Sequence, residues 1–116
     1  MIGIDIIEIS RIKKMIEKFG EKSLERLMND TEKTIFQKPE SIAGIWAAKE
    51  AFSKAIGTGI GKECSFLDIE ILKNEKNKPY FSPSTLKKFN LQQADLSISH
   101  DGGFAIAAVI VIKDKI

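Results

Sequence analysis

Residues 2–7 (IGIDII) are apolar but for one aspartate, and the run reads as a short buried strand. From Ser10 to about Phe19 the spacing turns helical. Ile12, Met15, Ile16 and Phe19 share one face, and Arg11, Lys14 and Lys18 share another. A second helical stretch is expected over about 21–28, with Asn29-Asp30-Thr31 as a turn that caps a short helix. Pro39 opens the main helix, about 40–56 (ESIAGIWAAKEAFSKAI), and Gly57 ends it. After a glycine-rich loop (GTGIGK), the pattern predicts a strand at about 66–73 and a turn rich in lysine and asparagine. A short strand at about 79–82 and a helix at about 83–90 follow. Two closing strands, 95–100 and 103–112, meet at Asp101-Gly102. The order is α+β: a mostly antiparallel sheet with one long central helix.

At about 100° per residue, Ile42, Ile45, Phe52 and Ile56 form one face of the central helix, while Ala47, Ala48, Ala51 and Ala55 line much of the rest. Glu50, Ser53 and Lys54 make a narrow polar strip, with Lys49 emerging near the apolar stripe. Such a helix is buried on most sides. Residues 104–112 (FAIAAVIVI) are apolar at nine consecutive positions, so both faces of that strand require cover. That surplus predicts association with further copies of the chain.

Composition narrows the class. With 116 residues, 43% apolar and 29% charged, the chain reads as one globular domain over 1–116. Eighteen basic residues against sixteen acidic ones leave a net charge of +2, too small to call for nucleic acid. No run approaches the roughly 18 apolar residues of a membrane span, and the first residues lack the basic-then-apolar order of a signal peptide. A small cytoplasmic domain is expected. One cysteine, Cys64, rules out an intrachain disulfide and a thiolate metal cluster, and reads as a buried apolar residue. One histidine, His100, rules out a site made of several imidazoles from one chain.

The remaining polar residues on apolar elements are the candidate chemistry. Asp5 is costly inside its strand unless it is paired, binds a cation, or caps the following helix. Glu50 and Lys54, four apart, are either an exposed helical ion pair or a carboxylate and an ammonium facing a cleft. Two carboxylates from separate elements suit magnesium, which keeps several waters and commonly adds substrate phosphates. Gly57 is either a left-handed helix cap or, with Gly59 and Gly61, part of a loop whose backbone approaches a phosphate. The loop follows its helix, so it is not a Walker loop. His100, ending a strand beside a turn, is either a core residue or a catalyst. Arg11, Lys14 and Lys18 are either a solvated face or a landing surface for an acidic protein.

Three segments, GIDIIEISRI, WAAKEAFSKAIGTGIG and LSISHD, resemble the holo-acyl-carrier-protein synthases, small 4′-phosphopantetheinyl transferases, in order, spacing and total length. The resemblance implies the phosphopantetheinyl transferase fold. It implies magnesium-dependent transfer of 4′-phosphopantetheine from coenzyme A to a serine of apo acyl carrier protein, with release of adenosine 3′,5′-bisphosphate, in support of fatty acid biosynthesis. It implies Asp5 and Glu50 as metal ligands, and Lys49 and Lys54 as phosphate contacts. Gly57 and Gly59 become part of the coenzyme A wall, His100 a coenzyme A contact, and Arg11 a carrier-protein docking residue. A trimer with active sites between subunits is implied as well. Ile45 stands where relatives often carry arginine, and Thr34 where some carry an acidic residue. The serine's base is therefore open among Glu32, His100 and a water. Rival readings, a magnesium phosphodiesterase or nuclease and a non-catalytic module for an acidic protein or RNA, fit less well. The first lacks a dense carboxylate cluster; the second leaves Asp5, Glu50, Lys54 and His100 without a role.

Overall fold

The computed structural model describes residues 1–114; positions 115 and 116, the end of the expected domain, lie outside the described residues. The elements run β1 (Ile2–Glu8), α1 (Ile9–Phe19), α2 (Asp30–Ile35), α3 (Pro39–Ile56), β2 (Ile71–Lys73), β3 (Pro79–Phe81), α4 (Pro83–Lys88), β4 (Leu91–Asp101) and β5 (Phe104–Lys113). All pairings are antiparallel: a three-stranded sheet ordered β1-β5-β4, and the separate pair β2-β3. Among the described residues, no helix is long and apolar enough to cross a membrane.

The boundaries of α3 follow from its terminal residues. Pro39 sits in the first turn, where a missing N–H costs nothing, and Gly57 closes the helix in the left-handed region at φ 91°. The β4–β5 hairpin turns through Gly102 and Gly103, both at positive φ, as a two-residue turn matched to strand twist requires. One face of the sheet packs on α3: Ile7, Leu96, Ala105, Ala107, Val109 and Val111 meet the helix's alanines and Phe52, all buried. Gly3 sets the closest approach. A Cβ there would collide with the Ala51 carbonyl oxygen and lie 2.8 Å from the Ala55 nitrogen, so β1 rests directly on the α3 backbone.

The other sheet face is open. Ile2, Ile4 and Ile6 on β1 and Phe104, Ile106, Ile110 and Ile112 on β5 are exposed, and the register sets Ile2 opposite Ile110 and Ile6 opposite Ile106. The expected surplus on residues 104–112 therefore divides by parity: odd positions enter the core, while Phe104, Ile106, Ile110 and Ile112 stay exposed and Ala108 is half-covered.

Several expectations differ, and the strand expected at 95–100 begins already at Leu91. The strand at 66–73 is confined to Ile71–Lys73, because Phe66–Asp68 forms a 3₁₀ turn closed by a reciprocal Ser65–Asp68 capping box. The helix at 21–28 is reduced to one 3₁₀ turn, Glu21–Leu24, and the Leu27 carbonyl is bonded by the Lys49 ammonium. Phe19, grouped with Ile12, Met15 and Ile16 on one face of α1, is exposed at the end of that helix, whereas Ile12 is buried.

Candidate active site

Asp5 lies mid-strand on the face of β1 that meets α3, opposite Ala107 of β5. The contact at Gly3 sets it beside the last turns of α3, where Glu50 and Lys54 share a face. The Lys54 Nζ donates to Asp5 Oδ1 at 3.0 Å and to the Ile4 carbonyl at 3.1 Å. Lys54 is thus paired across to β1, and the simple Glu50–Lys54 helical pair does not form. Asp5 does not cap α1 either, since the residue before that helix is Glu8. Ile4, Asp5, Ile6, Lys54 and Ile106 line a cleft of about 280 Å³, so this charged site borders the open apolar face.

The donor set suits magnesium. Asp5 and Glu50 are both partly accessible, and no group of three or more His, Cys, Asp or Glu side chains gathers among the described residues. Two hard carboxylates, with water and phosphate oxygens to complete the shell, match that ion's habit.

Lys49 departs from its expected role as a phosphate contact. Its side chain is fully buried, and Nζ is bonded to Glu32 Oε1 at 2.9 Å and to the Leu27 carbonyl at 2.7 Å. Burial pulls its pKa below the ordinary lysine value, against the Glu32 charge, which pushes it up. Glu32 is correspondingly unavailable as a base. Its oxygens accept from Lys49, from the Asn29 N–H in a capping box, and from the Ile71 N–H. Neither side chain reaches water.

Gly57 is the left-handed cap, and its amide does not reach outward. The N–H groups of Gly57, Thr58 and Gly59 all point at the Ser53 carbonyl, at 3.1 Å each. A Cβ at Gly57 or Gly59 would meet nothing, so any wall they form is made by bare backbone facing open space. Cys64 is buried, and burial pushes its thiol up to about 11, the inert environment expected.

His100 is exposed at the end of β4 and is not joined to Asp5 within the chain. It pairs with Ala105 of β5 while Asp5 pairs with Ala107, two strands over and two residues along. At about 4.8 Å per strand and about 3.3 Å per residue, the backbones are roughly 12 Å apart. His100 lines other clefts, one with Glu8, Ser10, Lys13 and Glu40, and one with Ile45 and Lys73. Ile45 itself is buried, and Thr34 is exposed with its hydroxyl on the Thr31 carbonyl. Arg11, Lys14 and Lys18 are all exposed on α1; Arg11 stacks 4.9 Å over the Trp46 ring. Beside that ring, Met15, Arg26, Leu27 and Phe66 line an apolar pit of about 190 Å³.

Gly3 and the Ile4 carbonyl, which locate Asp5 and Lys54, were not among the expected site groups. A glycine inside an apolar strand is the usual mark of close backbone approach and was the available signal.

Comparison with known proteins places the chain in a family. Residues 1–109 match the model of the 4′-phosphopantetheinyl transferase superfamily. The chain is 67% identical over 113 residues to the holo-[acyl-carrier-protein] synthase of Nautilia profundicola, covering 97% of this chain and all of that protein. Its fold is similar to that of the Helicobacter pylori holo-[acyl-carrier-protein] synthase in complex with coenzyme A. The TM-score is 0.87 at 52% identity, over 96% of this chain and 99% of that one. The Bacillus anthracis synthase in complex with CoA (3′,5′-ADP) gives a TM-score of 0.82 at 45% identity, over 97% and 96%. The chain belongs to the 4′-phosphopantetheinyl transferase superfamily and, within it, is an enzyme of the holo-acyl-carrier-protein synthase family.

Proposed function

We propose that this enzyme transfers 4′-phosphopantetheine from coenzyme A to a serine hydroxyl of apo acyl carrier protein. The reaction depends on magnesium, releases adenosine 3′,5′-bisphosphate, and supplies holo carrier protein for fatty acid biosynthesis. The observation that carries the reading is the contact of Lys54 with Asp5, one helical turn from Glu50, which joins two of the segments that resemble the family.

The serine oxygen attacks the β-phosphorus of coenzyme A. A P–O bond to serine forms, and the bond from that phosphorus to the bridging oxygen breaks. Asp5 and Glu50 would hold magnesium, which when bound offsets the charge shared by the two phosphates. Lys54 adds positive charge where the leaving phosphate gains negative charge. Holding the serine in line supplies several kcal/mol of the barrier reduction, so a strong base is not required. With Glu32 buried and saturated, the exposed His100 imidazole is the side chain left to take the proton.

The open face of β1 and β5 borders the Asp5 cleft, and a second copy covering it would supply its own His100 to this Asp5. Seven large exposed apolar side chains on one face exceed what a monomer ordinarily leaves in water. Closed cyclic symmetry buries such a face, and the number three is taken from the family. The carrier protein would dock on Arg11, Lys14 and Lys18, with the adjacent pit at Trp46 receiving an apolar side chain.

The test is incubation with apo carrier protein, coenzyme A and magnesium, read by mass spectrometry for one added phosphopantetheine. Asp5→Asn and Glu50→Gln should abolish the product while circular dichroism stays unchanged. Near-normal turnover in both variants would sink the assignment.

A further inference from the structure

Asp5 is the metal ligand proposed above, yet its carboxylate already has a cation. Lys54 Nζ lies 3.0 Å from Oδ1, and the Asp5 side chain retains only 19% exposure. A partly covered carboxylate favours a positive partner. Lys54 suits a temporary one. Its side chain is 51% exposed, it reaches Asp5 around the edge of β1, and its other bond is a single carbonyl, that of Ile4. Pairs with one half-exposed member are held weakly and exchange readily.

A magnesium ion takes carboxylate oxygens at about 2.0–2.1 Å. An ammonium at its present distance from the same oxygen would then stand against a dication. Lys54 holds Oδ1, so a metal on the same carboxylate would meet the repulsion of a nearby ammonium, and Lys54 weakens its binding. In water it gains nothing by leaving. A diphosphate in the cleft gives it a new anion within reach of the same flexible stem.

Resting on the proposed function, we infer that Lys54 competes with magnesium for Asp5 in the free enzyme, and that the phosphates of coenzyme A release it. Metal and substrate then bind with positive coupling, each tightening the other by the same factor. The free enzyme holds divalent cations more weakly than the enzyme with substrate does, and one lysine serves first as a stand-in cation and then as a phosphate contact.

The experiment is titration of Mn²⁺, followed by the electron paramagnetic resonance of the free ion, into the protein without coenzyme A. Lys54→Met should bind Mn²⁺ about three- to tenfold more tightly than the wild type, the range expected for losing a weakly held competitor. Lys54→Arg, which keeps the charge, should bind as weakly as the wild type. Equal affinity of wild type and Lys54→Met, with binding lost in Asp5→Asn, would overturn the competition while leaving the metal site standing. Binding that is absent from wild type and Lys54→Met alike would overturn the competition, and binding that is unchanged by Asp5→Asn would overturn both. Repeating the titration with coenzyme A present should tighten the wild type more than Lys54→Met. An equal gain in both would also count against the release.

Discussion

The Lys49 ammonium and the Glu32 carboxylate meet at 2.9 Å with neither side chain exposed to water. The pair joins four parts of the fold: α3 through Lys49, the Leu27 carbonyl, the start of α2 through the capping box, and β2 through the Ile71 N–H. Asn29, which caps α2, reaches on to Glu70 at 2.9 Å. Because successive helical residues are about 100° apart, fixing Lys49 inward also fixes the direction of its neighbour Glu50. The ion pair thus orients the proposed metal ligand without touching it.

Lys49→Met should therefore cost about 3–5 kcal/mol, since Glu32 is left as an unpaired buried charge. Adding Glu32→Gln should recover part of that loss, because a neutral amide needs no cation. Denaturant unfolding of the two single variants and the double variant measures the coupling. A double variant as unstable as the sum of the singles would contradict the pairing.

Gly3→Ala should destabilise by about 1–3 kcal/mol or more, because the added methyl meets the backbone of Ala51 rather than a movable side chain. It should also slow transfer, since β1 must lift from α3 and carry Asp5 with it. Gly61→Ala, where a Cβ meets nothing, is the comparison and should be near neutral in thermal melts.

Ile110→Lys or Ile4→Lys should dissociate the proposed assembly, as both side chains face outward on the open sheet. Light scattering should then give a mass near that of one 12.9 kDa chain, with loss of activity. Full activity in a monomeric variant would remove the case for sites between subunits. Lysine at Val109 or Val111 would test something else, because both are buried within the protomer.

Arg11→Glu should raise the KM for carrier protein far more than that for coenzyme A. The wild-type preference should weaken with salt, as the Debye length falls from about 10 Å at 0.1 M to about 3 Å at 1 M. Steady-state kinetics at two ionic strengths decides this; equal changes in both KM values would argue against docking on α1.

The Lys88 ammonium, and then the Ser65 N–H, lower the Asp68 carboxyl from 3.8 to about 2. A depressed carboxylate stabilises the fold above its unfolded value and loses that contribution as pH falls through its folded one. Lys88 is half exposed, so solvent screening reduces the effect to about 1 kcal/mol. Asp68→Asn should lower Tm by a few degrees at pH 7, and the gap to wild type should close between about pH 4 and pH 2. A gap that stays constant over that window would assign the loss to packing.

Much of this architecture is written locally. Pro39 and Gly57 bound α3, Asp101-Gly102 marks the hairpin, and alternation along residues 2–7 sets Asp5 on the face that meets the helix. What stayed hidden depends on partners distant in sequence. Lys49 sits at the margin of an apolar stripe, and only Glu32, 17 residues earlier, and the Ile71 amide, 39 beyond Glu32, explain why it turns inward. Likewise the spacing of residues 66–73 suits a strand, but the Ser65–Asp68 side chains supply a competing turn. His100 has the expected strand-end position, yet no local signal says that Asp5 of the same chain lies in another cleft.

The pairing of β1 with β5 has a consequence for biosynthesis. Ile2 finds Ile110, and Glu8 finds Phe104, so β1 is made well before the strand it pairs with. Until then α3 has emerged with neither β1 nor β5 sheeted against it, and a nascent chain of such topology is open to non-native association. The hairpin of β4 and β5, closed by a two-glycine turn, can form as soon as it is made. Slowing translation before residue 104 should lengthen dependence on chaperones, whereas joining the ends and opening the chain between α3 and β2 should shorten it.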